Sequence, residues 1–210
     1  MATQTISIRR TGDRLWLRWG LAGLLGFVGG MTIKTAIEIA ADLGGFTAAL
    51  EGIPAPLFGA LFGAMLGLCT GLAQWLALRR KIPGAGAWTA ATLAAWSLFW
   101  TLHNSVLPFA HSPWGLVLQG IGHGALVGLT IGAAQWLVLR GRVASAGRWV
   151  PISTLSWSAA GAFVHFLLDV LLASSNIHGP YDLLLTSVLA ALLSGIGLQR
   201  LVGAREAGLP

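Results

Sequence analysis

Apolar residues run along this chain in stretches that are too long and too uncharged for the helices of a soluble core. Stretches free of Asp, Glu, Lys and Arg cover residues 19–33, 56–78, 88–102, 114–139, 149–168 and 183–199. About 20 apolar residues cross a hydrocarbon layer of about 30 Å. The pattern predicts an all-α membrane protein with six transmembrane helices, near residues 17–43, 56–78, 87–107, 114–139, 149–173 and 182–202.

Composition supports this class of protein. Of 210 residues, 55% are hydrophobic and only 10% are charged, whereas a soluble domain carries about 25% charged residues. The single cysteine, Cys69, lies inside a predicted span. One cysteine excludes both a disulfide framework and a CxxC metal or redox motif.

The basic residues predict how the helices are oriented. Twelve of the thirteen Lys and Arg residues fall at alternate helix ends, on one side of a six-span arrangement, and only Lys34 departs from this pattern. Cytoplasmic loops carry such an excess of Lys and Arg. We therefore expect cytoplasmic ends at 1–16 and 203–210 and one transmembrane domain at 17–202. The same placement makes the basic residues topology signals and argues against nucleic-acid binding.

Two segments of the chain are nearly the same. Aligned without gaps, residues 59–97 and 120–158 are identical at seventeen of thirty-nine positions. Each segment reads as a helix running inward, a short basic loop and the start of a helix running outward. The ending "GIGLQR" of the last span is a weaker copy, so the fold is expected to hold an internal two-helix repeat, with three repeated hairpins as an open alternative.

The repeat carries two sets of residues that predict packing. Glycines spaced by four lie on one helix face and let a neighbouring backbone approach closely. They predict that the second and fourth spans form a central packing spine, to which the other spans pack. The glycines are Gly59, Gly63, Gly67, Gly71, Gly120, Gly124, Gly128 and Gly132. An interface set follows each glycine row, and it consists of Gln74, Trp75, Arg79, Gln135, Trp136 and Arg140. The glutamines are expected to bond a neighbouring helix, and Trp75, Trp136, Trp88 and Trp149 to form an aromatic belt at the membrane surface.

With its "QWLALRR" and "QWLVLRG" endings and the Ala-Gly-x-Trp that follows each, the chain resembles a group of uncharacterised bacterial polytopic proteins that repeat a G-x-x-QWLVLR…AG-x-W hairpin. The resemblance covers residues 59–97 and 120–158. The resemblance implies the repeated-hairpin form and a location in a bacterial inner membrane, and it implies no chemistry.

Polar residues inside the spans mark the candidate site. Counted at 1.5 Å per residue from the basic ends, several reach a similar depth near the outer face. Polar groups in hydrocarbon normally face a protein interior or a wet cavity. This outer polar layer consists of Lys34, Glu38, His103, Asn104, Gln119, His123, His165 and Asp169, and we expect it to converge on one outward-facing cavity.

Three classes of function fit these features. The leading one is a non-catalytic scaffold or accessory subunit that packs against partner helices, lipids, pigments or cofactors, or associates with itself. The second is a small transporter or channel with an outer polar vestibule. The third is a membrane enzyme or a metal- or haem-binding protein that uses the histidines, although the sequence names no catalytic residue, metal ligand set or cofactor.

Overall fold

The computed structural model describes residues 14–82, 84–106, 113–143, 145–171 and 180–206, except for the side chains of 104–106, 113, 169–171, 180 and 204–206. The secondary structure of these residues is helical throughout. Six long helices are α1 (Leu15–Leu43), α3 (Ala55–Leu78), α4 (Ala87–Val106), α5 (Pro113–Leu139), α6 (Trp149–His165) and α7 (Pro180–Glu206). A short helix α2 (Thr47–Glu51) follows α1, a 3₁₀ turn (Ala146–Arg148) precedes α6, and a π-helical turn (Phe166–Leu171) extends it.

The predicted spans coincide with the six long helices to within a few residues at most ends. Within the described residues, five helical segments are long and apolar enough to cross a membrane: Leu15–Leu43, Ala55–Leu78, Trp114–Leu139, Ala146–Leu168 and Tyr181–Gly203. Helix α4 is not among the five, because its tryptophan, threonine and serine residues, together with His103 and Asn104 near its end, lower its mean hydropathy. Thr101 shows how such a residue is accommodated, since its hydroxyl donates to the Ser97 carbonyl one turn earlier, at 2.8 Å.

The six long helices form a closed ring in the order α1, α3, α4, α5, α6, α7. Neighbours are antiparallel, so the starts of α1, α4 and α6 meet the ends of α3, α5 and α7. This end of the ring holds Arg18, Arg79 and Arg140 and is called the basic end below. The predicted central spine is wrong in one respect, because α3 and α5 are members of the ring like the other helices.

The glycine rows hold two hairpins together. A methyl group added at Gly67 would lie 2.6 Å from the Leu93 Cα on α4, and one added at Gly128 would lie 2.6 Å from the Thr154 Cα on α6. No Cβ atom fits at such a distance from a backbone atom. The two rows therefore bring α3 against α4, and α5 against α6, at equivalent positions of the two repeated segments.

The third pair of neighbours in the ring joins the two ends of the chain. Here the small residues lie mainly on α1, where a methyl group added at Gly23 would meet the Ala191 Cβ of α7 at 2.6 Å. On α7, a methyl group added at Gly195 would lie 3.0 Å from the Trp16 carbonyl oxygen of α1. The first and last helices thus close the ring.

The outer surface of the ring is apolar. Large hydrophobic side chains are exposed on every long helix, among them Leu25, Leu61, Leu98, Leu118, Leu155 and Ile196. A soluble protein rarely exposes so much contiguous apolar surface. The structure is that of a multi-pass membrane protein.

Candidate functional site

Three tryptophans fill the ring at its basic end. Trp19, Trp88 and Trp149 are each at most 1% exposed, and their ring centroids lie 5.5, 5.9 and 6.2 Å apart. The predicted aromatic belt is therefore wrong for Trp88 and Trp149, which lie in the core. Trp75 and Trp136 are only partly buried, and Arg79 and Arg140 lie over their rings at 5.9 and 5.8 Å.

Two buried glutamines explain why these indoles lie in the core. The Trp88 Nε1–H donates to the Gln74 Oε1 at 3.0 Å, and the Trp149 Nε1–H donates to the Gln135 Oε1 at 3.1 Å. The Gln135 amide also donates to the Gln74 Oε1 at 3.2 Å and to the Thr92 hydroxyl at 3.0 Å. Buried polar groups are tolerated when they are bonded in this way. The glutamines thus link neighbouring helices, as their position in the repeat predicted.

A tryptophan of α1 is bonded to α7 in the same way, but its acceptor is a serine hydroxyl in place of a glutamine amide. The Trp19 Nε1–H donates to the Ser194 hydroxyl of α7 at 3.2 Å. Inward-facing residues then recur every fourth position on α1, α4 and α6. They are Trp19, Gly23 and Phe27; Trp88, Thr92 and Trp96; and Trp149, Ser153 and Trp157. All three of these helices, which start at the basic end, thus present an aromatic, a small and a second aromatic side chain to the centre of the ring.

A small polar void of about 30 Å³ lies between these aromatic levels. Among the described residues, the Thr70 and Ser187 hydroxyls and the Trp96 Nε1 at this void have no hydrogen-bond partner. The void is closed on one side by Trp19 and Trp149, and on the other by Trp96 and Trp157, whose rings lie 5.6 Å apart. The centre of the ring is therefore blocked at two levels by aromatic side chains.

A much larger cavity, of about 460 Å³, lies beyond the second aromatic level, away from the basic end. His103 of α4, His123 of α5 and His165 of α6 all line it, and the His103 and His123 rings lie 4.6 Å apart. We call it the histidine cavity. Three successive helices thus bring their imidazoles to one site.

Local backbone features place His165 at this cavity. Gly120 of α5 and Gly161 of α6 lie in backbone contact, and the His165 ring covers Gly120 one turn from His123. His165 is also the last residue of α6 before the π-helical turn. Such turns occur often at functional sites because they change the direction of the side chains that follow.

Aromatic rings form one wall of the histidine cavity. Phe62 lies 4.8 Å from Trp100, Trp100 lies 4.9 Å from His103, and His103 lies next to His123, in each case measured between ring centroids. Aromatic rings at these separations favour edge and offset contacts with further rings. The wall suits a flat, partly apolar molecule.

Three polar atoms on this wall have no hydrogen-bond partner among the residues that the structure describes. They are the Trp100 Nε1, the His103 Nδ1 and the His123 Nε2, all buried. The indole N–H can only donate, whereas an imidazole nitrogen donates or accepts according to its tautomer. Buried polar groups normally have partners, so the wall keeps unused hydrogen-bonding capacity, which a ligand would reach only if the wall side chains moved.

The two charged side chains that line the cavity, Lys34 and Asp182, already have partners. Lys34 lines it, and its Nζ contacts both Glu38 carboxylate oxygens at 2.6 and 2.7 Å. Asp182, at the start of α7, also lines the cavity and accepts a hydrogen bond from its neighbour's backbone N–H. Because the lysine is already paired with Glu38, an anionic ligand would gain little from it.

The structure brings most of the predicted outer polar layer together. Lys34, Gln119 and the three histidines line the histidine cavity, while Glu38 reaches it only through Lys34. The side chains of Asn104 and Asp169 lie outside the part of the chain that the structure describes. Sequence reasoning missed the wall residues Phe62 and Trp100, which look like ordinary apolar residues, although Trp100 is one helical turn from His103.

The histidines could serve as metal ligands only if their nitrogens converged. Within the described residues, no group of three or more His, Cys, Asp or Glu side chains is placed to hold a metal ion. His103 and His123 instead lie with their rings side by side. The geometry thus fits hydrogen bonding to a ligand better than coordination of an ion.

Comparisons with known proteins give no family for this chain. No protein-family model matches it, and neither the curated proteins nor the solved structures contain a significant match.

Proposed function

We propose that this protein is a six-span protein of the bacterial inner membrane that binds a small, lipid-soluble molecule in its histidine cavity. The observation that carries the proposal is the convergence of three histidines from three helices on one cavity of about 460 Å³, beside buried polar atoms without partners. Pockets for small molecules are mostly apolar, with a few polar groups that fix orientation. The histidine cavity has this character.

The proposed orientation places the basic end in the cytoplasm. Arg18, Arg79, Arg140 and Arg200 lie at this end, and positively charged loops stay on the cytoplasmic side. The histidine cavity then belongs to the outer half of the membrane. In this arrangement α4 crosses the membrane as the sixth span, supported by α3 and α5 on either side.

Binding fits the interior better than permeation does. Trp96 and Trp157 close the base of the cavity, and the Trp19, Trp88 and Trp149 cluster fills the ring below them. A solute crossing the ring would have to displace both aromatic levels and break the Gln74–Gln135 network. The closed base supports a receptor or carrier of a bound molecule over an open channel.

An accessory subunit of a membrane complex is the second candidate. The observation that favours it is the exposed apolar surface of the ring, which is large enough for partner helices as well as lipid. The glycine rows do not offer that docking surface, because they are covered by α4 and α6 of the same chain. The two roles are compatible if the bound molecule serves a partner.

The test is to identify what the purified protein retains. The wild-type protein is expected to carry a small organic molecule, found by absorption spectroscopy and mass spectrometry of its solvent extract. Replacing His123 or Trp100, as His123→Leu or Trp100→Phe, should remove most of it, because each change deletes a polar atom from the cavity wall.

Thr130→Val is the matched control on α5. The Thr130 hydroxyl bonds only to carbonyls of its own helix, at 2.9 and 3.0 Å, and the residue lies away from the histidine cavity. This variant should keep the molecule. The proposal would be contradicted if folded His123→Leu and Trp100→Phe retained as much of the molecule as the wild-type protein. Co-purification of other membrane proteins, with no small molecule, would favour the accessory role.

A further inference from the structure

A groove of about 440 Å³ runs along the membrane face of the ring beside the histidine cavity. Val28, Ala36 and Ile39 of α1 form one side of it, and Tyr181 and Leu184 of α7 form the other. Apart from Ala36, these residues have large, mostly apolar side chains. We call it the α1/α7 groove.

The groove exists because α1 and α7 separate in the half of the ring away from the basic end. Their close glycine contacts are made near the basic end, at Gly20, Gly23 and Gly195. Beyond that point α1 instead packs on α3, through Gly26 against Thr70 and Gly30 against Leu66. Between Thr32 and Ala40, only Lys34 is partly buried.

The groove and the histidine cavity are neighbours that share a wall. Met31 lines both of them, and adjacent α1 residues alternate between the two, with Lys34 at the cavity and Thr35 at the groove. On α7, Asp182 and Leu183 face the cavity while Leu184 faces the groove. Methionine is a flexible side chain that adapts to irregular contacts, so Met31 is suited to a passage between the two spaces.

We propose that the ligand has two parts, a flat ring with carbonyl oxygens in the histidine cavity and an apolar chain in the α1/α7 groove, and that it enters sideways from the bilayer. This inference rests on the proposed function. An apolar chain is the proposed occupant of the groove, because the groove is apolar, lies on the outer surface of the ring and adjoins the cavity at Met31.

The chemistry of the ring follows from the wall that it would contact. The imidazoles of His103 and His123 line the cavity and can each donate an N–H. A carbonyl oxygen accepts such a bond without charge, and the Trp100 indole N–H would gain an acceptor if the wall side chains adjusted. The row of aromatic rings from Phe62 to His123 favours a planar partner.

Two soluble analogues separate the ring from the chain. One is a substituted benzoquinone with a decyl chain, and the other is the same ring with a methyl group in place of that chain. Binding of each to the full-length protein in lipid nanodiscs is measured through the shift in melting temperature over a concentration series, with ligand-free nanodiscs and empty nanodiscs as references.

The decyl compound is expected to bind at least about tenfold more tightly than the methyl compound, after correction for partitioning into the nanodisc lipid, because the chain buries apolar surface in the groove. Ala36→Trp should fill the groove and reduce this preference to about twofold or less while leaving methyl-compound binding unchanged. Leu118→Trp is the matched control, since Leu118 is 69% exposed on α5 and lies outside both spaces. It should behave as wild type.

Different failures point to different errors. If neither compound binds while His123-dependent retention of another molecule is seen, the ligand class is wrong and the proposed function stands. Equal binding of the two compounds, or loss of both in folded Ala36→Trp, would overturn the role of the groove. Equally tight binding of decylbenzene, which has the same chain on a planar ring without carbonyl oxygens, would overturn the carbonyl ring. Absence of any His123-dependent ligand would end the proposed function itself.

Discussion

The Gln135 side chain makes three hydrogen bonds in the interior, since it accepts from Trp149 and donates to both Gln74 and Thr92. It is 1% exposed and joins its own helix α5 to three others. A membrane interior has no water to replace such bonds, so their partners become unsatisfied when the amide is removed. The network is therefore a determinant of how α3, α4, α5 and α6 meet.

Gln135→Leu should lower the free energy of unfolding by about 1–3 kcal/mol, because it leaves the Trp149 indole N–H and the Thr92 hydroxyl without their partner. Ser187→Ala is the control, since the Ser187 hydroxyl has no partner among the described residues. Its effect should stay within about 0.5 kcal/mol. Reversible unfolding in mixed micelles measures both, and equal stability of the two variants would show that the network contributes little.

The sequence predicted how far along its helix each polar residue lies, but it did not predict the direction in which each side chain points. Counting along each helix placed His103, His123 and His165 at one level, and they do meet at one cavity. The same counting put Trp88 and Trp149 at a membrane surface, whereas their indoles turn inward to Gln74 and Gln135. A hydropathy pattern does not distinguish a tryptophan that faces lipid from one that donates to a buried amide.

Among the elements, the glycine rows determine which helices pair. At Gly63, Gly67, Gly124 and Gly128 the partner backbone lies where a side chain would be. This close approach leaves no free space for a methyl group, and relief requires a shift of a whole helix. The rows thus specify the α3/α4 and α5/α6 hairpins more strictly than the hydrophobic pattern does.

Gly67→Ala should destabilise the protein by about 1–3 kcal/mol, because its methyl group would lie 2.6 Å from the Leu93 Cα and force the helices apart. Gly29→Ala is the matched control in α1, where the nearest atom, the Cys69 Cβ, lies at 3.9 Å. It should be neutral or slightly stabilising, since alanine is the better helix former. Thermal denaturation of both variants in one detergent measures the difference. If Gly67→Ala proved as stable as Gly29→Ala, the rows would not be packing surfaces.

Sequence predicted the bounds of these elements well but not their arrangement. Spans near 56–78 and 114–139 correspond to Ala55–Leu78 and Pro113–Leu139. The residue pattern of a helix shows how long the helix is and which of its faces carries small residues. The ring order depends instead on pairs far apart in the chain, such as Gly23 with Ala191, and no local signal encodes them.

For the whole molecule, the proposed orientation is tested by labelling cysteines at opposite ends. In a Cys69→Ala background, Thr47→Cys in α2 should react with a membrane-impermeant maleimide added to intact cells, because it lies away from the basic end. Ser145→Cys, at the basic end between α5 and α6, should react only after the membrane is permeabilised. Labelling of both sites from the same side would exclude the six-span arrangement.

Closure of the ring by α1 and α7 affects how the protein is made. Ribosomes deliver helices to the membrane in chain order, and domains generally assemble as their parts emerge. The partners of α3 and α5 follow each of them directly, so both hairpins can assemble as soon as they are inserted. The Trp19 indole, by contrast, has no Ser194 acceptor until the last helix arrives. During synthesis α1 is thus the helix most in need of a temporary companion, such as a membrane insertase or chaperone.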